Sequence, residues 1–400
     1  MPKLLIAATV SKMVEAFLLP YARHYRAQGW TVDCATSGAS ASAECRAAFD
    51  HVWDLPWSRN PLDLAGAVRG ALAIRRLWQT QKYDLVHVHS PVAAFVIRFA
   101  LRREQQARRT RIIYSAHGFH FHERGSWLGN LAFRSLENLA AKWTDCLIVM
   151  NRDDERAAHR LRRLRPSAIR LLPGIGIDLN RFDARRTDVS PVLREWQERG
   201  IGPGQNAVFL VIAEFVAGKR HADVLRAFAR LPGKDHLVLA GSGPLMGAIQ
   251  KLASELRVED RVHFLGYRKD IAAIIRASDA VVLVSEREGL PRSLMEAFAL
   301  QTPVIASDIR GNRDLAGDGR GLLVPVGNLE KIAAAMQYVA EHRAECQAMA
   351  GRGRKYVEQF RIETLLAMHD EIYFEILSEF LPDAELRNIS PAQVKAAAHS

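Results

Sequence analysis

The sequence contains few cysteines and no long apolar run, and both absences limit what the protein can be. Its 400 residues include four cysteines, scattered along the chain without a C-x-x-C pair. This scattering fits a reducing cytosol and argues against a disulfide framework and against a zinc site built from cysteines. The four are Cys34, Cys45, Cys146 and Cys346.

Membrane-spanning and secretory features are also missing. The longest apolar candidate, residues 91–101, is interrupted by Arg98 and is shorter than the about 18–20 residues that span a bilayer. The amino-terminal MPKLLIAATV is strand-like and lacks the apolar region and the cleavage site of a signal peptide. We therefore expect a cytoplasmic protein that is soluble or peripherally bound to a membrane.

The composition is that of a globular protein with an excess of basic residues. Hydrophobic residues make up 48% and charged residues 25%, which excludes a disordered or fibrous chain. The formal net charge is +11, and residues 1–180 hold 26 Lys or Arg against 15 Asp or Glu, whereas residues 181–400 hold 29 of each. Such an excess of positive charge suits binding of nucleic acid, an anionic membrane or an anionic small molecule. Because the excess lies in the first half of the chain, we expect that partner to bind there.

Short apolar runs rich in β-branched residues alternate with amphipathic stretches along the chain. This alternation predicts an α/β protein with two doubly wound, Rossmann-like domains that face each other across a cleft. A stretch rich in Gly, Pro and Asp at residues 173–188 marks the join. We predict an amino-terminal domain over 1–183, a helix near 361–380 that crosses back to it, a carboxyl-terminal domain over 184–360, and a tail over 381–400. The predicted strands are Leu4–Thr9, Thr31–Ala35, Leu85–Val88, Arg111–Ser115, Cys146–Met150, Ala207–Ala213, His236–Ala240, Val262–Leu265, Ala280–Val284 and Pro303–Ala306.

The most informative segment is residues 285–303, with the sequence SEREGLPRSLMEAFALQTP. A predicted strand ends at Ser285, a turn with a glycine follows, and Pro291 suits the first turn of a helix. The amino terminus of that helix offers backbone amides and a positive dipole end, which suit an anion at the carboxyl edge of a sheet. Glu288 and Glu296 would repel a phosphate there unless they face hydroxyl groups, so the pair indicates a ligand with phosphates and sugar hydroxyls. The alternative is a capping glutamate followed by a solvated one.

The pattern Glu288-x7-Glu296 within EGLPRSLMEA resembles the signature of family 4 retaining glycosyltransferases, which have the GT-B fold. Other motifs match in order along the chain: AHG at 116–118, GIGIDLNRF at 174–182, the lysine-containing segment 213–219, and GSGP at 241–244. The resemblance is strongest to bacterial enzymes that extend capsular, exopolysaccharide or lipid-linked oligosaccharides. In those enzymes the stretches HVHSP, AHGFHF and SDIRGNRD recur, as they do here.

The resemblance implies roles for three catalytic residues. Glu288 would hold sugar hydroxyls near the anomeric carbon, and Lys219 would neutralise the diphosphate as it leaves. The carboxyl-terminal domain over 184–360 would bind the nucleotide-sugar and the amino-terminal domain over 1–183 would bind the acceptor. His117 would reach the transferred sugar from the amino-terminal domain. Transfer would proceed by front-face attack, with the departing phosphate helping to deprotonate the acceptor hydroxyl.

The resemblance also implies a set of donor-binding residues. Glu296 would accept hydrogen bonds from the ribose hydroxyls, and the backbone around Tyr267 would pair with the edge of the nucleobase. The other donor-binding candidates are Gly289, Leu290, Arg292, Gly241, Ser242 and Lys12.

Two positions depart from the family pattern. Glu214 stands where many members have an arginine five residues before the lysine, and Thr9–Met13 replaces the usual glycine-rich first loop. We therefore expect Lys219, the local helix amides and Arg292 to carry more of the phosphate charge, with Lys12 compensating in the first loop.

Three features of the first half have alternative interpretations. The pattern of His117, His120 and His122 would bind a metal only if the imidazoles converged, and no carboxylate pair accompanies it, so no metal site is predicted. Arginines at 98–111 and 152–170 form either solvated helix faces with i,i+4 partners or a surface for anionic lipid. The apolar stripe of a predicted helix over 14–28 belongs either to the core or to a contact with a lipid-linked acceptor.

We predict a retaining, metal-independent glycosyltransferase without a cofactor. It would move a hexose or N-acetylhexosamine from a UDP-sugar to a polyprenyl-diphosphate-linked glycan in surface polysaccharide biosynthesis, at the anionic inner face of the cell membrane. The alternatives are an isomerase like UDP-N-acetylglucosamine 2-epimerase, which has a similar architecture, and a polyanion binder without catalysis. Nucleic acid is not an expected partner, because the sequence has no base-stacking ribbon or recognition helix.

Overall fold

The computed structural model describes residues 1–57, 60, 63–121, 126–202, 204 and 206–379, so the predicted tail over 381–400 lies outside the described residues. Contacts divide the chain into two units, one formed by Met1–Ile175 with the segment from Ile362 onward, the other by Gly176–Arg361. The first join lies at Ile175 and not at 183, because Ile177 and Phe182 are buried in the core of the second unit.

The strands begin and end close to the predicted positions. They are β1 (Lys3–Val10), β2 (Thr31–Ser37), β3 (Val52–Asp54), β4 (Leu85–His89), β5 (Arg111–Ala116), β6 (Cys146–Val149), β7 (Ile169–Leu171), β8 (Val208–Ile212), β9 (His236–Ala240), β10 (Val262–Gly266), β11 (Ala280–Leu283), β12 (Val304–Ser307) and β13 (Leu322–Val324).

Helices connect these strands in the order expected of alternating β and α elements. They are α1 (Ser11–Phe17), α2 (Leu19–Ala27), α3 (Ala43–Ala48), α4 (Leu64–Gln81), α5 (Pro91–Ala100), α6 (Arg102–Gln106), α7 (Trp127–Ala140), α8 (Arg152–Ala158), α9 (Ser190–Glu198), α10 (His221–Phe228), α11 (Met246–Glu255), α12 (Ile271–Ala277), α13 (Arg292–Ala299), α14 (Asn312–Ala316), α15 (Leu329–Glu341), α16 (Arg343–Val357) and α17 (Ile362–Ser378).

Each unit contains one parallel sheet. In the described residues the strand order is β3-β2-β1-β4-β5-β6-β7 in the first unit and β10-β9-β8-β11-β12-β13 in the second. The order reverses between β1 and β4 in the first sheet and between β8 and β11 in the second. Rossmann-like domains bind ligands beside the carboxyl ends of the strands at this switch point. The predicted α/β class with two Rossmann-like domains is confirmed.

Both faces of the first sheet are buried, because successive side chains on a strand point to opposite faces. Leu5 and Ala7 of β1 belong to the core that packs against α4 and α5. Leu4 and Ile6 belong to the core that includes α2 and α17. The first unit therefore has an α4/α5/α7 face and an opposite α2/α17 face.

Several local predictions need correction. The strands β3, β7 and β13 were not predicted, because each is an edge strand of three residues, too short to show alternation. The predicted helix over 14–28 is two helices, since Pro20 in the first turn of α2 has no N–H to continue a helix from α1. Val14, Leu18 and Tyr21 of its apolar stripe are buried, so the stripe belongs mainly to the core. No helix among the described residues is long and apolar enough to cross a bilayer.

Candidate active site

The second unit places the predicted motif at the switch point of its sheet. A loop after β8 leads to a 3-10 turn at Ala217–Lys219, and a loop after β11 carries Glu288. Because β8 and β11 are neighbours, these loops meet at the carboxyl edge, where Lys219 Nζ lies 2.5 Å from Glu288 Oε1. The side chains are only 28% and 13% exposed. Two of the three predicted catalytic residues thus form a largely buried ion pair.

A neighbouring arginine ties the same two loops together. The Glu286 amide donates a hydrogen bond to the Gly218 carbonyl at 2.9 Å, and Arg220 Nη1 donates to the Glu286 carboxylate at 2.5 Å. Arg220 also pairs with Asp223 of α10. Arg220 was not among the predicted site residues. Its position directly after Lys219 is the feature of the sequence that could have indicated it.

The second glutamate of the motif has its own cation. Pro291 caps α13 rather than standing inside its first turn, and the helix begins at Arg292. Glu296 is buried one turn further on, with its Oε1 at 2.7 Å from Arg292 Nε. Burial raises the pKa of the Glu296 carboxyl, and the positive charge of Arg292 opposes that rise. Each carboxylate of the motif is therefore balanced by a side-chain cation, Glu288 by Lys219 and Glu296 by Arg292.

The turn after β9, which contains the predicted Gly241 and Ser242, packs directly on the backbone that follows β8. A Cβ at Gly241 would lie 2.0 Å from the Ala213 carbonyl oxygen, and one at Gly243 would lie 2.6 Å from the Phe215 nitrogen. The Phe215 amide donates to the Ser242 carbonyl at 3.0 Å. Glycine is required at both positions because only a hydrogen atom fits these contacts.

Gly311 makes an equally close approach to the loop after β11. Its φ is 78°, and a Cβ there would lie 1.9 Å from the Gly289 carbonyl oxygen. The buried Asn312 donates from Nδ2 to the Ser307 carbonyl at 3.0 Å, and Ser307 Oγ donates to the Ser285 carbonyl at 2.6 Å. These contacts hold the motif loop against the segment after β12. Gly311 and Asn312 belong to the SDIRGNRD stretch that carried the resemblance, but the sequence analysis predicted no role for that stretch in positioning the motif loop.

The remaining predicted positions of the second unit differ in burial. Leu290 is partly buried against the core, whereas the side chain of Tyr267, directly after β10, is 74% exposed. Glu214 is also exposed. The carboxyl edge of the second sheet therefore holds buried charge pairs at its switch point and an exposed aromatic ring at β10.

The first unit also places predicted residues at the carboxyl edge of its sheet. The helix α1 begins at Ser11, directly after β1, so the prediction of a loop over Thr9–Met13 is wrong and Lys12 lies in the first turn of a helix. The amide of Thr9 donates to Ser90 Oγ at 2.9 Å, and Ser90 has a φ of 68° where β4 passes into α5. This contact joins β1 and β4 at the switch point of the first sheet.

His117 follows β5 and contacts a second histidine. Its Nε2 lies 3.0 Å from Nδ1 of His89, the last residue of β4. Burial lowers the pKa of His117 to about 4, with nearby His369 adding to the effect, and burial likewise holds the pKa of His89 well below its ordinary value. Both imidazoles are therefore neutral near pH 7. His89 was not predicted as a site residue, although it belongs to the HVHSP stretch that carried the resemblance.

Two other histidines of the first unit contact residues outside the predicted site. His87 hydrogen bonds to Tyr373 of α17, and the ring of His120 lies 5.3 Å from that of Phe133. His122 lies outside the described residues. Within the part of the chain that the structure describes, no group of three or more His, Cys, Asp or Glu side chains is placed to hold a metal ion.

Two arginines of the predicted basic clusters are buried in ion pairs. Arg98 Nη2 lies 2.9 Å from Glu137, and Arg111 Nη1 lies 3.0 Å from Asp145. A buried guanidinium that is held by a carboxylate does not face lipid. The membrane interpretation is therefore wrong for these two residues.

Comparison with known proteins decides the family. The sequence model described as "Glycosyltransferase Family 4" matches residues 14–181, and the one described as "Glycosyl transferases group 1" matches residues 194–356. The protein with the name "Putative glycosyltransferase EpsD" of Bacillus subtilis (strain 168) is 32% identical over 367 residues that cover 90% of this chain and 92% of EpsD. The chain belongs to glycosyltransferase family 4. The family predicted from Glu288-x7-Glu296 is thereby confirmed.

Two further matches concern other members and the fold. The UDP-Gal:alpha-D-GlcNAc-diphosphoundecaprenol alpha-1,3-galactosyltransferase of Escherichia coli is 25% identical over 79% of this chain and 81% of its own length. The crystal structure of Anabaena HepE in complex with UDP-glucose matches 93% of this chain and 99% of HepE with a TM-score of 0.76 at 20% identity. At that identity the match shows the GT-B fold. This family 4 protein is thus a GT-B glycosyltransferase.

Proposed function

We propose that this family 4 glycosyltransferase moves a hexose or N-acetylhexosamine from a UDP-sugar to a saccharide carried on a polyprenyl diphosphate, with retention of anomeric configuration. The observation that carries the proposal is the ion pair between Lys219 and Glu288 at the switch point of the second sheet. Close to the start of α13, this pair supplies a cation, a helix dipole and a carboxylate in one place. A sugar joined to a nucleoside diphosphate has phosphates that suit the cation and the helix dipole. Its sugar hydroxyls suit the carboxylate.

Donor binding changes the partner of Lys219. A diphosphate competes with the Glu288 carboxylate for the Lys219 ammonium, and it also accepts hydrogen bonds from the amides of Gly289 and Leu290. As the ammonium turns to the phosphates, an oxygen of Glu288 becomes available to accept from the sugar hydroxyls. The ion pair therefore keeps both groups in position, and its exchange couples phosphate binding to sugar binding.

The other predicted donor contacts are proposed around this centre. Glu296, buried and held by Arg292, would accept hydrogen bonds from the ribose hydroxyls. The turn with Gly241 and Ser242 would approach the donor through its backbone, and the backbone at Tyr267 would contact the uracil edge. None of these contacts needs a divalent ion, since Lys219 and the helix amides supply the positive charge, and we propose transfer without metal or cofactor.

The first unit would contribute His117 and Lys12. A neutral imidazole offers one N–H donor and one acceptor. Since His89 contacts Nε2 of His117, Nδ1 is the atom proposed to reach the transferred sugar. In the reaction, the bond from the anomeric carbon to the diphosphate oxygen breaks, the acceptor oxygen bonds to that carbon from the same face, and the acceptor proton passes to the departing phosphate. Lys12 would add positive charge at the carboxyl edge of β1.

A lipid-linked acceptor is favoured by similarity and by charge. The Escherichia coli relative is named for a diphosphoundecaprenol acceptor. This chain has a net charge of +11, which suits an acceptor and a membrane that are both anionic. We therefore propose that the enzyme works in surface polysaccharide biosynthesis, peripherally bound to the inner face of the cell membrane.

Substitution of the ion pair tests the proposal. Lys219→Ala and Glu288→Ala are each expected to lower the transfer rate about 100- to 1000-fold, corresponding to ~2.7–4 kcal/mol, because each removes a charge that stabilises the reacting groups. The assay measures label transfer from a panel of UDP-sugars to a lipid-linked acceptor extract, with melting temperature as the check on folding. The matched control is Lys251→Ala, since that ammonium is exposed and lies 3.8 Å from Glu255 on the same helix. Near-normal transfer by either site variant would contradict the assigned roles.

The two alternative functions give different results. An epimerase would convert a UDP-sugar without any acceptor, whereas the proposed transferase consumes little donor until acceptor is added. A polyanion binder would show no UDP-dependent thermal shift, whereas the proposed enzyme shows one that Glu296→Ala removes. Transfer at an unchanged rate in excess chelator is expected, and loss of transfer that added metal restores would contradict the proposed metal independence.

A further inference from the structure

Large apolar side chains at the surface are concentrated on three helices of the first unit. Of the eleven large hydrophobic residues exposed in the described part of the chain, eight lie on α4, α5 and α7. The eight are Leu64, Val68, Leu72, Phe99, Trp127, Leu128, Leu131 and Leu136. Single exposed hydrophobics are normal, but such a concentration marks an interaction surface. The exposed sides of α4, α5 and α7 are named here the apolar-basic surface.

These helices share one face of the sheet. All three pack on the same core cluster, and α5 contacts both α4 and α7. On α4, Leu64, Val68 and Leu72 repeat every fourth residue, so they form one stripe along the helix. Trp127 and Leu131 have the same spacing on α7.

The charges on the apolar-basic surface are all positive. The helix α4 contains no acidic residue and exposes Arg69, Arg75 and Arg76. The helix α7 exposes Arg134, while its one acidic residue, Glu137, is buried against Arg98 of α5. Arginine beside tryptophan and leucine is the combination that suits the boundary between anionic headgroups and acyl chains.

The opposite face of the same sheet carries charges of both signs, because α2 on that face exposes Arg23 and Arg26 whereas α17 is acidic. It is covered in part by α17, whose side chains pack on the α2/α17 core. Residues 362–379 hold five acidic residues and no basic one. A membrane with anionic lipids would therefore attract the α4/α5/α7 face, where these helices expose no acidic residue, more strongly than the α17 face, and this difference orients the first unit.

Two of these apolar side chains lie at the end of the unit that carries the predicted site residues. In a parallel α/β fold each helix begins near the carboxyl edge of the sheet. Leu64 and Trp127 are the first residues of α4 and α7, so they lie toward the edge that carries His117 and Ser90. A bilayer at this surface would bring the headgroup region close to the edge that carries His117, which is proposed to reach the transferred sugar.

We propose that the apolar-basic surface docks the enzyme on a bilayer rich in anionic phospholipid, with Trp127 and Leu131 entering the headgroup boundary and the arginines binding lipid phosphates. The choice of lipid as occupant rests on the proposed lipid-linked acceptor and on the uniform positive charge. The basic clusters in the sequence directed the membrane prediction to other residues, of which Arg98 and Arg111 are buried. Most arginines of the second cluster, 152–170, are exposed, but the helices α4 and α7 differ from that cluster in exposing apolar side chains beside their arginines.

Flotation with vesicles tests this surface directly. The full chain is mixed with vesicles of phosphatidylcholine alone or of equal parts phosphatidylcholine and phosphatidylglycerol, both without acceptor. The wild type is expected to float with the anionic vesicles, and Trp127→Ser with Leu131→Ser is expected to weaken binding by about tenfold for each side chain. Arg75→Glu with Arg76→Glu should weaken it as well, and high salt should reduce the effect of that charge reversal. Leu245→Ser, an exposed leucine of the second unit, is the matched control and should float as the wild type does.

Three results would overturn the proposal. They are absence of wild-type flotation, flotation that the serine variants leave unchanged, and a loss of self-association by those variants in lipid-free solution. The last result would make the surface an interface between two copies. Since all substituted side chains are exposed, melting temperatures should stay unchanged, and the single variant Leu131→Ser provides a milder probe. Transfer to a water-soluble acceptor analogue separates the two proposals: surface variants should retain it, whereas failure of the wild type to transfer at all would refute the function without affecting the vesicle result.

Discussion

Replacement of Gly311 by alanine tests whether a close backbone contact positions the catalytic loop. The residue lies in the segment after β12 and belongs to none of the groups proposed to touch the substrate. Its α-carbon faces the carbonyl of Gly289, the residue that directly follows Glu288 in the motif loop. A methyl group at position 311 therefore acts on the reaction only by moving that loop.

The structure sets the size of the effect. The new Cβ would lie 1.9 Å from the Gly289 oxygen, whereas an ordinary contact begins at 3.4 Å, so the two segments must separate by about 1.5 Å. A misplacement of about 1 Å can cost about 100-fold in rate, and we expect a loss of that order in kcat. The φ of 78° adds a cost of ~1–2 kcal/mol for any residue with a Cβ, which should lower the free energy of unfolding by a similar amount.

The assay combines the transfer rate with urea unfolding. The matched control is Gly351→Ala in the middle of α16, where an added Cβ meets nothing within 4 Å. That variant should keep full activity and gain up to about 1 kcal/mol of stability, because alanine favours a helix more than glycine does. A Gly311→Ala enzyme that stays folded and transfers sugar at the wild-type rate would refute the positioning argument.

Three other predictions concern the first unit. Arg98→Leu leaves the Glu137 carboxylate buried without its cation and should lower the free energy of unfolding by ~3–5 kcal/mol, measured by urea unfolding. A second change, Glu137→Leu, should restore most of that loss. An unchanged urea midpoint for the single variant would contradict this prediction. His89→Leu removes the hydrogen-bond partner of His117 and should lower kcat up to about tenfold, whereas His89→Gln should retain most of the rate; equal rates for the two variants would count against a positioning role. The folded-state pKa of His369 is lowered from 6.5 to about 4, so the folded protein binds fewer protons than the unfolded chain between these values. Its stability should fall as the pH drops from 6.5 toward 4, by ~2 kcal/mol at pH 5 from this residue, and His369→Gln should show a correspondingly smaller loss between pH 7 and pH 5 in thermal unfolding.

The sequence predicted those elements whose signal lies within the element itself. The strand His236–Ala240 begins and ends as predicted, and the strand predicted over Ala280–Val284 ends one residue earlier, because each is a short run of mainly apolar residues. The edge strands β3 and β13 were missed, since three residues show no period and their pairing is decided by neighbours distant in sequence. The split of the first helix was missed although Pro20 was visible, because the apolar stripe continues through the break.

The candidate site shows the same limit. The residues of the motif loop were named from a local pattern, and the ion pair between Lys219 and Glu288 follows from the adjacency of β8 and β11. By contrast, Arg220, Gly311 and His89 act through partners that are distant in the chain. Each of the three stands in or beside a motif that the sequence shows, but the motif does not show which distant group the residue contacts, so the role of each residue needed the structure.

Charge shows most clearly how folding changes the meaning of a sequence count. The sequence divides into a first half with a net charge of +11 and a neutral second half. Folding adds α17 to the first unit, where Glu375 lies 2.6 Å from Arg170 and Glu379 lies 3.4 Å from Arg111. Residues 1–175 with 362–379 then hold 26 basic and 19 acidic residues, and residues 176–361 hold 27 and 23, so the two units have net charges of +7 and +4. The difference in net charge is therefore small, and what distinguishes the first unit is that its acidic α17 and its basic α4 lie on opposite faces of one sheet. An orienting force on a membrane depends on that separation and not on the total charge.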